Sequence, residues 1–273
     1  MENIDGSDIE AAFVTSVGNN TFVDALEKVV SGDDILCLLG RYINFNAIFA
    51  SSVATLAGGI AGRQDIFRDA DEVIEDLADR CVEVAMDIFF AAIDEFGGCA
   101  RNHRKTHRSM AQATLKATAI FFGVGPERLN GIVRLNKSTR ATIHKVQDGY
   151  GVNQTLDEHN IFHAIGFHLG SEMLADKEFR ILDNFLSAKY PELVKYLRTT
   201  EVSISGVQHA AYHWIRIHTS VEAEHFDVAV KGANRALRYY AGKENKARIK
   251  SWIMAGLMDF TVVQAEFMAG LLV

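Results

Sequence analysis

From residue 33 onward, apolar residues recur at spacings of three and four, the pattern of helices that bury one face. Strand-like alternation is confined to the stretch Glu201 to Ile204, so the pattern predicts an all-α protein. One long helix is expected over 63–96, stopped by Gly97 and Gly98, and a second over 103–122, closed by Gly123 and Gly125. Pro126 opens a short third, and Asp157 is the expected N-cap of a helix over 158–186. Pro191 starts another short helix that ends before Thr199, and two long helices over 207–240 and 245–272 complete the chain. No repeat, low-complexity tract or Pro-rich linker marks a boundary, so residues 33–273 are expected to form one helical domain. Gly18, Asn19 and Asn20 break the pattern earlier, which makes 1–32 an expected N-terminal extension.

One uncharged run, 42–62, is long enough to cross a bilayer, but Asn44, Asn46, Ser51, Ser52 and Thr55 interrupt it. It reads as a buried helix, and no membrane partner is expected. The N-terminus, MENIDGSDIE, is acidic and lacks the basic start and apolar stretch of a secretion signal, so a cytoplasmic location is expected. Cys37, Cys81 and Cys99 form no CxxC pair and fit free thiols in a reducing compartment. The formal net charge of −7 argues against nucleic acid as a partner, because phosphate recognition needs a basic face. The basic cluster from Arg101 to Arg108 lacks interleaved aromatics and reads as a solvated face.

The most informative segment is IHTSVEAEHF, residues 217–226. At about 100° per residue, His218, Glu222 and His225 fall within roughly 60° of one another on a helix. Ala211, Trp214, Ile215 and Ala229 continue that face, so the three polar groups point into the core. Two imidazoles and a carboxylate buried at this spacing can chelate a metal, which supplies the interactions that burial removes. His209 and His213 fall on the opposite side of the same expected helix and read as structural or surface residues.

Further ligands are expected from single polar residues on other apolar faces. Glu95 shares its face with Val84, Ile88, Ala91 and Ala92, whereas Asp94 shares a face with Glu83 and Asp87 that reads as solvated. Glu172 lies with Ile165, His168, Leu169, Ala175 and Phe179, and His168 is placed to support it from behind. His107 continues onto Met110, Ala111 and Thr114, with His103, one turn earlier, as its alternate. The candidate metal ligands are thus Glu95, His107, Glu172, His218, Glu222 and His225. Three carboxylates with three imidazoles suit two iron or manganese ions better than one zinc. Only Glu222-x-x-His225 occurs among the ten histidines, which disfavours a ferritin-like bundle with its paired Glu-x-x-His motifs. HExxH, GxxxxGK[ST], GxSxG and a strand-borne GxGxxG are all absent.

This arrangement resembles the heme-oxygenase-like dimetal oxidases, and among them the CADD-like branch. The resemblance rests on His218-x3-Glu222-x2-His225, on Glu95 with His107, and on GSEMLADKEF and IHTSVEAEHFDVAV; it covers roughly residues 35–270. The middle acid of the third motif is usually Asp in better-known relatives and is Glu222 here. The resemblance implies a heme-oxygenase-like bundle of about seven core helices, a homodimer, and two Fe(II) ions with Mn as the alternative. It further implies O2 as co-substrate, an external electron donor, and oxidation of a small amine, amino acid or fatty acid by N-oxygenation or oxidative C–C cleavage. Two other readings stay open: a thiaminase-like hydrolase, for which Cys99 is the candidate nucleophile, and a non-enzymatic helical interaction protein. Heme oxygenase itself would leave the carboxylates unexplained.

Overall fold

A computed structural model describes residues 3–97, 105–152 and 154–273, with the side chains at 176 and 220–223 outside that description. The described residues form twelve α-helices and one hairpin, as the periodicity requires of an all-α chain. In order these are α1 (Gly6–Thr15), α2 (Gly18–Glu27), α3 (Gly32–Asn46), α4 (Phe49–Ala61), α5 (Cys81–Glu95), α6 (His107–Phe121) and α7 (Pro126–Ile132). Then follow α8 (Lys137–Gly149), α9 (Glu158–Lys189), α10 (Pro191–Thr199), β1 (Glu201–Ile204), β2 (Val207–Ala210), α11 (His213–Tyr239) and α12 (Lys246–Ala269).

The frame is α9, which carries no proline and starts where Asp157 accepts the Asn160 backbone N–H at 2.8 Å. Its most extensive packing is against α12, with α11 along another side. Glycine makes that first contact close: a Cβ on Gly166 would stand 1.7 Å from the Ile253 carbonyl oxygen, and one on Gly256 1.9 Å from that of His163. Helices α4 and α5 pack on each other, and α5 and α6 both meet α11. The interior between α5, α6, α9 and α11 therefore receives side chains from four helices.

Several expected bounds need correction. The helix expected over 63–96 is α5 alone. Residues 62–80 are irregular apart from a 3-10 turn at Asp76–Ala78, with Arg68 N–H donating to Tyr239 O and Asp69 N–H to Ala78 O. The apolar positions Val73, Ile74 and Leu77 supplied the helical spacing but are exposed, and only Ile66, Phe67 and Ala78 at the segment's ends are buried, so no continuous buried face drives it into a helix. The helix expected from 207 starts at His213. Val207–Ala210 pairs antiparallel with Glu201–Ile204 through Ser205 and Gly206, whose φ values of 50° and 82° suit a two-residue hairpin turn. The run 42–62 is divided at Ala47 and Ile48 between α3 and α4, and α8 was not anticipated.

Gly32–Ala61 is long and apolar enough to cross a bilayer. Its own polar positions are nonetheless engaged inside the protein: Arg41 is buried and donates to the carbonyls of Gly270, Leu271 and Val273, and Tyr42 donates to Glu178 at 2.8 Å. The N-terminal helices are packed as well. Phe22 is fully buried and stacks on Tyr42 at 5.5 Å, and α2 lies against α12.

Candidate metal centre

Glu95 ends α5, His107 begins α6, Glu172 lies mid-way along α9, and His218 and His225 sit two turns apart on α11. The structure brings Glu95, His107 and His218 into one group whose ligand atoms all lie within 4.8 Å of one another. Glu95 Oε1 is 2.8 Å from His107 Nδ1 and 3.8 Å from His218 Nε2. Burial pushes the Glu95 carboxyl up, but the hydrogen bonds and charge of His107 and His218 override it and hold it at about 2. It is a carboxylate at any working pH.

A second group adjoins the first. Glu172 Oε2 is 3.7 Å from His225 Nδ1, and both residues are buried. Glu95, Glu172, His218 and His225 all line one cavity of about 50 Å³, with Phe45, Phe49, Phe179 and Phe260 in its wall. The space suits ions and water-sized ligands rather than a large molecule.

His218 and His225 are each held by the nitrogen that does not face Glu95 or Glu172. His218 Nδ1–H donates to Trp214 O at 2.7 Å, which leaves Nε2 toward Glu95, and its ring stacks on Phe179 at 4.0 Å. His225 Nε2–H donates to Asp94 at 2.9 Å, which leaves Nδ1 toward Glu172. Metal-binding imidazoles characteristically donate their other N–H to a carboxylate or carbonyl in this way.

Behind Glu172 lies a buried polar chain. Ser171 Oγ donates to His168 O at 2.7 Å and accepts from Tyr150 OH at 2.7 Å, while His168 Nδ1 is 3.4 Å from Glu172 Oε1. Burial, then the neighbouring His225, pushes His168 down to about 3, so the ring is neutral, and its Nδ1 lies between Tyr150 Oη at 3.3 Å and the Glu172 carboxylate. His168 thus touches Glu172 as its face predicted.

Two candidates fall outside the description: His103, the alternate to His107, and the side chain of Glu222, whose backbone lies on α11 one turn after His218. Cys99 falls outside it too. Among the described residues, Cys37 and Cys81 are free thiols that do not line the cavity.

Sequence reasoning misplaced Asp94. It reaches His225, and Asp87 on the same side is 3% exposed and paired with Arg235 at 3.1 Å, so the face read as solvated packs against α11. Glu178 was also missed. It is buried in the cavity wall, accepts from Tyr42 and receives the Gln264 amide. His209 lies on β2 rather than α11, with Nε2 3.0 Å from Ser109 Oγ.

No family model matches the chain, and no curated protein matches it. Among solved structures it is similar to a CADD-like protein of unknown function from Nostoc punctiforme. The two agree with a TM-score of 0.58 over 97% of this chain and 94% of that one, at 13% identity. The fold is therefore the helical fold of that CADD-like protein.

Proposed function

We propose that this chain is a non-heme dimetal oxidase or oxygenase that uses O2 and an external electron donor to oxidise a small amine, amino acid or fatty acid. The observation that carries the reading is the buried convergence of Glu95, His107 and His218 beside Glu172 and His225, with His218 and His225 each already oriented through its other nitrogen. The donor chemistry fits: hard carboxylates and imidazoles, with no thiolate among the described cavity residues, suit iron or manganese. Glu95, His107 and His218 would hold one ion, and Glu172 and His225 the other, with Glu222 the sixth ligand that the sequence nominates. A bound metal pair would supply the redox chemistry with O2.

The protein's part is to fix the ligands. Phe179 and Trp214 fix the His218 ring, Asp94 fixes His225, and the chain Tyr150–Ser171–His168 backs Glu172. Phe45, Phe49 and Phe260 give the cavity an apolar wall.

Anaerobic Fe(II) titration tests the proposal. Wild type is expected to take up about two irons per chain, and His218→Ala and His225→Ala each to lose that uptake. Absence of uptake by wild type, or two irons bound by either variant, overturns it.

A further inference from the structure

A second chamber of about 200 Å³ shares Asn46 and Glu95 with the metal-facing cavity and also reaches His107. Its wall is mainly apolar, with Ile43, Ala50, Phe96, Ala111 and Trp214, and it holds one cation, Arg108. Arg108 follows His107 on α6, so the chamber runs from the candidate metal ligands to a guanidinium.

That guanidinium is poorly matched by the protein. It donates to Ile43 O at 3.3 Å and to Asn44 Oδ1 at 3.5 Å, both neutral and both long. Among the described residues no carboxylate pairs with it, although the chain as a whole carries seven more acids than bases. Arg108 is exposed, so it stands at the chamber's mouth. A guanidinium there without a carboxylate partner can donate both arms of its planar fork to an entering oxyanion, the geometry it matches best.

We propose that this chamber binds a small monocarboxylic acid, with its carboxylate on Arg108, its apolar body against Ala50, Phe96 and Ala111, and its far end directed toward Glu95 and His107. An apolar cavity of about 150 Å³ accepts benzene, so this one takes a ring or short chain on the order of ten non-hydrogen atoms. The carboxylate is thereby held away from the metal ligands, and the oxidisable end faces them. The role of this acid as substrate rests on the dimetal reading; the binding does not. Of the substrate classes above, the chamber selects acids over amines.

The test uses metal-free protein in chelator. Octanoate and 3-phenylpropanoate, and the primary amide of each, are titrated while Trp214 emission is followed in a Trp252→Phe background. The acids are expected to bind saturably and the amides about tenfold more weakly. Arg108→Gln is expected to weaken acid binding about tenfold and erase the preference, and Arg108→Lys to keep part of it. Far-UV circular dichroism and the unfolding midpoint verify that both variants fold. Equal binding of acid and amide by wild type, an unchanged preference in Arg108→Gln, or no binding of either acid overturns the proposal. Iron uptake separates the two claims. Acid preference without iron uptake removes the dimetal reading alone, and iron uptake without acid preference removes this one alone.

Discussion

Asp94 and Glu95 are adjacent at the end of α5 and project about 100° apart, yet both meet histidines of α11. Glu95 faces the cavity as a ligand candidate, and Asp94 grips His225 from behind. The division of labour predicts a division of effects. Asp94→Asn keeps the size but loses the charge that fixes His225, and is expected to weaken metal binding about 10- to 100-fold. Glu83→Gln, at a half-exposed position on the same helix, is expected to leave it unchanged. Calorimetric titration of both variants decides, and wild-type affinity in Asp94→Asn would mean that His225 is not a ligand. Glu95 and Glu172 were legible because each is a lone acid on an apolar stripe. Asp94 was not, because a carboxylate among carboxylates looks solvated until the counter-charges of a partner helix, here His225, Arg235 and Lys231, are in place.

At the scale of elements, the crossing of α9 and α12 sets how firmly the Glu172 segment is held. Gly166 and Gly256 let backbone lie against backbone there, and the atoms a new Cβ would strike are carbonyl oxygens of the opposite helix, which cannot swing aside as a side chain would. Gly166→Ala is therefore expected to cost at least about 3 kcal/mol, the upper end of overpacking. Gly58→Ala has open space at an exposed position of α4 and is expected to gain about 0.5–1 kcal/mol from helix propensity. Urea unfolding of the two variants gives the contrast, and a neutral Gly166→Ala would mean that the helices can separate freely. The start of α9 at Asp157 and that of α10 at Pro191 were legible because a capping side chain or a fixed φ writes the boundary locally. The absence of α-helix at 62–80 and the second strand of the hairpin, Val207–Ala210, were not, although the alternation at Glu201–Ile204 marked the first. In the first, the middle apolar positions Val73, Ile74 and Leu77 have helical spacing but stand exposed; in the second, Ser205 and Gly206 reverse the chain within a stretch whose spacing also suits a helix.

For the whole molecule, the candidate ligands come from α5, α6, α9 and α11, and residues as distant in sequence as Glu95 and His225 meet only when the bundle is assembled. The all-α class and the convergence of Glu95, His107 and His218 were readable from face analysis of separate helices, since a buried polar group on each stripe needs partners from the others. The pairing of ring nitrogens was not readable, because it depends on where Trp214 O and Asp94 lie once the helices pack. A site that exists only in the folded state ties metal to stability. An ion at about 100 times its dissociation constant adds about 2.7 kcal/mol per site. A domain of this size gains about 2–4 °C in midpoint per kcal/mol, so Mn(II) or anaerobic Fe(II) is expected to raise Tm by about 5–10 °C for each ion bound. His218→Ala is expected to lose the rise from the Glu95 group, whereas Asp259→Asn, an exposed position on α12 that lines neither chamber, is expected to keep it. Differential scanning calorimetry with and without chelator reads the shift. A rise that survived in His218→Ala at full size would place the ion outside this cluster, and no rise in wild type would leave the buried carboxylates and imidazoles as a purely structural network.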